Sequence, residues 1–289
     1  MKVGYCAIAG RPNVGKSTLL NAIMGLKLAA VSRRPQTTRH RILGVDSGPD
    51  HQIVFLDTPG LLEPKYLLQR KLLKIARATI KEADVRLYLV DARRGVDPND
   101  GTFFDNLIKE NSIIVINKID LITKERLLSL IAEVNRLTGI DEIYPISAKK
   151  RFGLDELKQG VIRLLPQGHP FYDEETLTDQ PERFFAAEII REKIFQLLGA
   201  EVPYATAVVI DNFQERPGRK DLIQATVWVE RPSQKTIVVG KQGQKIKAVG
   251  TAARRHIEEF LGRPVYLELF VKVKEGWRES ESDLKELGF

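Results

Sequence analysis

The sequence predicts an α/β protein built as two successive parts: a mainly parallel, doubly wound sheet, then a smaller α+β module. Three observations predict it. Strand-like and helical runs alternate from the first residues to about residue 165, the pattern of a parallel sheet flanked by helices. The stretch Gly10-Arg11-Pro12-Asn13-Val14-Gly15-Lys16-Ser17 reads G-x-x-x-x-G-K-S between an apolar strand and a run of helix formers, the context of a phosphate-binding loop. After Pro166-Gln167-Gly168-His169-Pro170 the pattern changes to the order αββααβ.

Bulk properties narrow the class. A length of 289 residues suffices for about two domains with separate cores. No apolar run approaches the roughly 18 residues that span a bilayer. The first residues build the strand that enters the phosphate loop, so no signal peptide is expected. Cys6 is the only cysteine, which excludes an intrachain disulfide and a cysteine zinc site. Its apolar strand predicts a buried, inert thiol in a reducing cytosol. The formal charge of +7 is unevenly spread. Met1 to Val45 holds eight Lys/Arg and no acid; Arg231 to Arg255 holds seven and no acid. The first block surrounds the phosphate loop. The second reads as a solvated face or as a contact for another anion.

Taken in order, Val3–Ala9 is the first strand and Thr18–Met24 a helix. Lys27–Arg41 is basic, carries Pro35 and the pair Thr37-Thr38, lacks periodicity and reads as a mobile loop. Ile42–Val45 and Gln52–Leu56 read as paired strands around Ser47-Gly48-Pro49-Asp50. A helix at 65–82, a buried strand Val85–Asp91, a helix at about 99–110, a strand Ser112–Ile116, a helix at 124–138, a short strand Ile143–Ile146 and a helix at 154–165 complete the first part. The expected boundaries are 1–167, a linker 168–181, and 182–289. The second part opens with an amphipathic helix at 182–198 (Phe184, Phe185, Ile189, Ile194, Leu197). Strands follow at about 204–213 and 222–231, turned by Pro217-Gly218-Arg219-Lys220. Then come a helix at 233–239, the loop Gly240-Lys241-Gln242-Gly243, a helix from 244 to about 261 and the strand Val265–Val273.

Each motif of the first part follows the C-terminal end of a strand, where ligands bind in such sheets. In Gly10–Ser17 the glycines let successive backbone N–H groups point at an anion, and the helix start adds a positive dipole end. Lys16 reaches the terminal phosphates, the Ser17 hydroxyl suits Mg²⁺, and Thr18 joins the nucleotide-binding set. Asp57-Thr58-Pro59-Gly60 supplies a carboxylate for the metal, directly or through water, and a Gly60 N–H for the γ-phosphate. Asn117-Lys118-Ile119-Asp120 is the most specific signal. A buried Asp120 carboxylate would accept two hydrogen bonds from guanine, which adenine does not offer in that arrangement. Lys118 would lie along the base and Asn117 would brace the loops. In Ser147-Ala148-Lys149 the Ala148 N–H would face the guanine carbonyl. Singly, Asn117 or Asp120 reads equally as a helix cap and Ser147 as a turn residue. Jointly, in this order, they read as a site for GTP, GDP and Mg²⁺.

Gly10–Ser17, Thr38, Asp57–Gly60, Asn117–Asp120 and Ser147–Lys149 resemble the five nucleotide motifs of translational-type GTPases. Gln36-Thr37-Thr38-Arg39-His40-Arg41 resembles the switch segment of the Era family. The resemblance implies a P-loop GTPase in which Thr38 joins Ser17 and Asp57 on Mg²⁺ in the GTP state, and in which Lys16, Thr38 and Gly60 serve hydrolysis. Thr37 is the rival of Thr38, and the sequence leaves that choice open. Small signalling GTPases place a water-orienting glutamine directly after the D-x-x-G glycine. Here that position is Leu61, which cannot polarise water, and the Era family shares the feature. Slow intrinsic hydrolysis is therefore expected.

In the second part, Gly240-Lys241-Gln242-Gly243 is a G-x-x-G between helices, the loop with which KH modules clamp about four nucleotides of a single strand. Lys241, Lys245 and Lys247 supply charge to phosphates, and Gly240, Gln242, Gly243 and Ile246 complete the predicted RNA contact. Ile237, Val239, Ile246 and Val249 read equally as a floor for bases and as core. The whole chain, including Val271–Arg278, resembles the Era plan of a GTPase domain followed by a type II KH domain. That resemblance implies binding near the 3′ end of 16S ribosomal RNA and a role in assembly of the 30S subunit; no DNA partner is expected, and the chain is expected to be a monomer. The resemblance also implies a cytoplasmic protein with peripheral association at the cytoplasmic face of the cell membrane. Trp277 is expected as a packed anchor, with base stacking as its alternative.

Overall fold

The computed structural model describes residues 1–32, 34–96, 110–199 and 202–289, and they form two compact units. The first holds Met1–Ala29, Thr38–Glu63 and Leu72–Asp179. Its strands are β1 (Lys2–Gly10), β2 (Ile42–Gly48), β3 (His51–Asp57), β4 (Val85–Asp91), β5 (Ser112–Asn117) and β6 (Ile143–Ile146). They align in the order β2-β3-β1-β4-β5-β6, with only β2 antiparallel to its neighbour. Every residue of β3, β4 and β5 is buried, as expected for a parallel sheet covered on both faces. The helices are α1 (Lys16–Met24), α2 (Leu67–Glu82, whose first turn belongs to the second unit), α3 (Lys124–Thr138) and α4 (Leu154–Leu164). The helix expected at about 99–110 lies outside the described residues.

The register places the strand ends together. Ile8 pairs with Asp57, Gly10 with Leu89, Asp91 with Asn117 and Asn117 with Ile146. One edge of the sheet thus presents every motif, at the point where strand order reverses beside β1. The antiparallel edge strand β2 is covered by the chain that follows α4. Val45 N–H donates to Leu177 O at 2.9 Å and Thr178 Oγ1 to Leu43 O at 2.7 Å. The buried Gln52 amide donates to Tyr172 O and accepts from the N–H groups of Phe171 and Tyr172. These bonds satisfy backbone groups that an edge would leave open.

The second unit holds Gln180–Phe289 with two short segments, Ala30–Thr37 and Pro64–Lys71. Its order is α5 (Glu182–Leu197), β7 (Ala207–Gln214), β8 (Asp221–Val229), α6 (Pro232–Val239), α7 (Gln244–Leu261) and β9 (Val265–Val273). The sheet runs β7-β8-β9, antiparallel then parallel, with the core formed by Ile190, Ile194, Ile223, Val227, Val249 and Ile257 among others.

Two expectations change. The first concerns α5, whose middle turns bury charged as well as apolar positions, Glu188, Arg191 and Glu192 as deeply as Ile189 and Ile194, while Leu197, expected on the apolar face, is 51% exposed. Those charges are tolerated because they are paired. Glu188 and Arg191 form a two-pronged ion pair, and Glu192 accepts from Gln196 Nε2 at 2.7 Å and from Val31 N–H at 3.2 Å. The second concerns the end of the chain, where a helix that the sequence pattern did not suggest, α8 (Glu281–Glu286), is fastened by Lys274 to Asp283 and Glu286. Trp277 is fully buried and donates Nε1–H to Ala205 O at 3.1 Å, so it is a packed anchor.

Candidate functional site

The phosphate loop leaves β1 at Gly10 and enters α1 at Lys16. Asn13 and Gly15 both take left-handed backbone angles, with φ of 66° and 106°. At Gly15 a Cβ would meet Asn117 Nδ2 at 2.3 Å, so only glycine fits there. Lys16 is buried, and its ammonium donates to the carbonyls of Gly10 and Arg11 at 3.2 and 3.0 Å. Burial pushes its pKa down to about 8, with Asp57 opposing the shift. Arg11 is exposed, Val14 is buried, and Pro12, Asn13, Ser17 and Thr18 are half-buried.

Three oxygen-bearing side chains converge beside the loop. Ser17 Oγ donates to Asp57 Oδ2 at 2.6 Å and shares a 2.7 Å hydrogen bond with Thr38 Oγ1, which itself lies 3.5 Å from Asp57 Oδ2. Asp57 is fully buried, and its Oδ1 has no hydrogen-bond partner among the described residues. Burial pushes this carboxyl up to about 6, against the pull of Lys16 and the two hydroxyls. A buried carboxylate oxygen without a partner, next to two hydroxyls, fits a small hard cation that keeps its remaining positions for water and phosphate oxygens. Of the two adjacent threonines, Thr38 faces this cluster. Thr37 Oγ1 instead donates to Arg34 O at 2.9 Å and bonds Ser32 Oγ at 2.7 Å. The left-handed turn at Gln36, φ 61°, precedes them.

Asp57-Thr58-Pro59-Gly60 folds back over β1. Thr58 Oγ1 donates to Ile8 O at 2.9 Å, Gly60 lies against Pro12, and the Leu61 N–H donates to Gly10 O at 3.1 Å. The Leu61 side chain is withdrawn into the apolar core. It is 3% exposed and packed in the sheet core with Ala76, Ile80, Tyr88 and Val90. The sequence showed that no amide stands at this position; it gave no sign that the side chain is withdrawn altogether.

Asn117 braces three segments. Its Nδ2 donates to Val14 O at 2.9 Å, and its Oδ1 accepts from the N–H groups of Lys118 at 2.8 Å and Ala148 at 3.0 Å. The Ala148 N–H, expected to face a guanine carbonyl, is therefore held by Asn117. Lys118 lies across the phosphate loop, donating to Asn13 O and pairing with Asp91 Oδ2 at 2.6 Å. Sequence reasoning gave Asp91 no role. Asp120 corrects a further expectation: it is exposed, not buried, because the short turn Ile119–Leu121 carries it to the mouth of the site. Ser147 Oγ orients it, donating to Oδ1 at 2.6 Å. Lys149 is exposed.

In the second unit the loop Gly240–Gly243 joins α6 to α7. Gly240 has φ 72° and ψ 178°, and a Cβ there would meet the Lys245 backbone nitrogen at 3.1 Å and its side chain at 2.7 Å. Lys241, Gln242, Lys245 and Lys247 are exposed. The expected apolar floor divides: Val249 is fully buried core, Ile246 is partly buried against that core, and Ile237 is 39% exposed.

Residues 5–118 match the family of 50S ribosome-binding GTPases and residues 201–278 match the KH domain. The GTPase Era of Geotalea uraniireducens (strain Rf4) is 46% identical over 288 residues, spanning 99% of this chain and 97% of that protein. The chloroplastic GTPase ERA-like protein of Oryza sativa subsp. japonica is 42% identical over 291 residues, spanning 99% of this chain and 69% of that protein. Among solved structures, a single-residue variant of Aquifex aeolicus Era bound to GDP·AlF4⁻ superposes with a TM-score of 0.96 at 44% identity, covering 100% of this chain and 99% of that one. An Era complex with MgGDPNP and nucleotides 1506–1542 of 16S ribosomal RNA matches with the same TM-score, identity and coverage.

Proposed function

The chain belongs to the Era family of GTPases, and from that membership we propose that it is a GTP-switched protein that clamps single-stranded RNA at the 3′ end of 16S ribosomal RNA. The observation that carries the reading is the convergence of Ser17, Thr38 and Asp57. It ties the loop bearing Thr38 to the phosphate loop, so Thr38 can answer to the nucleotide.

In this reading the backbone N–H groups of Gly10–Ser17, with Thr18, cradle the phosphates. Lys16 leaves the carbonyls of Gly10 and Arg11 for the terminal phosphates. Ser17, Asp57 and Thr38 hold Mg²⁺, which neutralises charge on the phosphate oxygens. Asp120, oriented by Ser147, takes the guanine edge. Lys118 and Asn117 brace it, and Ala148 and Lys149 close the base side. Gly60 takes the γ-phosphate. With Leu61 withdrawn, no side chain at that position orients the attacking water, and intrinsic hydrolysis is slow.

The reading extends to the RNA site. Gly240, Lys241, Gln242 and Gly243 admit a phosphate backbone, with Lys245, Ile246 and Lys247 beside them. The solved Era complex with nucleotides 1506–1542 of 16S ribosomal RNA supports this half. A role in 30S subunit assembly follows, in a monomer with no DNA partner that is cytoplasmic and peripherally associated with the cell membrane. No described helix is long and apolar enough to cross a membrane. The working division is 1–167 for GTP, 168–181 as a linker whose residues up to Asp179 pack with the first unit, and 182–289 for RNA.

Nucleotide competition tests the reading. Wild type should prefer GTP to ATP, and Asp120→Asn should lose GTP affinity by about a hundredfold while gaining xanthosine triphosphate. Equal affinity for GTP and ATP in the wild type would overturn it.

A further inference from the structure

Asp91 ends β4 at the same sheet edge as the nucleotide motifs but belongs to none of them. Its carboxylate is 3% exposed. On one side Arg93 grips it with Nε at 3.1 Å, Nη2 at 2.8 Å and its own backbone N–H at 3.0 Å. On the other it pairs with Lys118 Nζ at 2.6 Å, and that same ammonium donates to the Asn13 carbonyl in the phosphate loop. We infer that Asp91 is a positioning residue for guanine nucleotides: it anchors Lys118 across the phosphate loop, so that base-side and phosphate-side segments hold the nucleotide together.

The physical argument is one of freedom. A lysine side chain gives up much of its rotamer freedom when held in one pose. Without an anchor Lys118 pays that on binding; with Asp91 behind it the pose already exists. Asp91 is well suited to the task. Burial alone would raise its pKa, but the hydrogen bonds from Arg93 and Lys118 outweigh burial and hold it at about 2, so it stays charged at every working pH. The Arg93 fork fixes the plane of the carboxylate. Lys118 itself leaves β5 with a left-handed backbone, φ 69°, that directs it back over the loop. Apart from Arg93, the Asp91 carboxylate bonds only Lys118 among the described residues, so the carboxylate acts on the nucleotide through that side chain.

This inference rests on the guanine-nucleotide site proposed above, and a double-mutant cycle on the full chain separates the two. Release of fluorescent mant-GDP is measured for wild type, Asp91→Asn, Lys118→Met and the pair. Asp91→Asn should weaken binding about tenfold in the wild-type background, the size of one charge-assisted hydrogen bond. In the Lys118→Met background it should change binding by less than about twofold. The same factor in both backgrounds, or no change in the first, overturns the inference. Arg93→Ala, whose side chain is half exposed, gives a milder route should Asp91→Asn not fold. Its loss should also vanish in the Lys118→Met background, and a loss that persists there overturns the inference. Wild type that fails to prefer GDP over ADP would instead sink the nucleotide reading itself.

Discussion

Replacing Leu61 by glutamine, the residue that signalling GTPases use at this position, should not create a faster enzyme here. The Leu61 side chain lies in the apolar cluster with Ala76, Ile80, Tyr88 and Val90, and its backbone N–H is committed to Gly10 O at 3.1 Å. Two terms set the penalty. Exposing or losing a buried leucine costs about 1.5–3 kcal/mol, and leaving an amide unpaired in that core costs about 1–3 kcal/mol more. The sum is about 2.5–6 kcal/mol. At about 2–4 °C per kcal/mol for a domain of this size, the melting transition of the first unit should fall by about 5–24 °C. Single-turnover hydrolysis at saturating GTP and Mg²⁺, run well below that transition, should stay within about threefold of wild type, because the new amide has no route to the attacking water. The assay pairs thermal unfolding in GDP with that turnover measurement. A variant that melts with wild type and hydrolyses GTP ten times faster would refute the reasoning, since it would place the position-61 side chain at the phosphates.

Two further perturbations test other parts of the molecule. Lys241→Ala removes an exposed charge from the G-x-x-G loop; stability should move by no more than about 0.5 kcal/mol. The slope of log affinity against log salt for a single-stranded RNA should fall by about 0.7, the signature of one lost phosphate contact, in a filter-binding or anisotropy series. An unchanged slope would remove Lys241 from the contact. Asp91 has a folded pKa of about 2 against its ordinary 3.8. A depressed carboxyl contributes stability that is present above its unfolded pKa and lost as pH falls toward the folded one. Wild type should therefore exceed Asp91→Asn by about 2 kcal/mol from pH 7 to about 4, the gap narrowing below pH 4. Urea unfolding midpoints across that range check it, and a gap that widens on acidification would contradict the assignment.

The parts of the fold that the sequence made legible are those set by local rules. Alternating apolar runs placed β1 and β3–β6 within a few residues, because buried parallel strands carry no polar face to blur them. The phosphate loop, Asp57–Gly60, Asn117–Asp120 and Ser147–Lys149 were legible because each needs its residue types at a strand end. What stayed hidden depends on which way a side chain turns. Thr37 and Thr38 are neighbours, and only the path of the loop through Gln36 decides which meets Ser17. Leu61 reads as a missing glutamine, while its burial depends on how Gly60 rests on Pro12. The amphipathic reading of α5 failed because Glu188, Arg191 and Glu192 look solvated in sequence, and their pairing partners are not local alone. Asp91 was invisible because its partner Lys118 is distant in sequence and no motif contains it.

The tight fit of Gly15 beneath Asn117 bears on how such a protein can change. A methyl at residue 15 would strike the amide that also steadies Val14 and Ala148. Damage on the phosphate side is thereby transmitted to the purine side, and neither can be retuned in isolation. Directed evolution toward another nucleobase or a shorter phosphate chain would have to randomise 15 and 117 as a couple, and libraries that alter either alone should yield only losses.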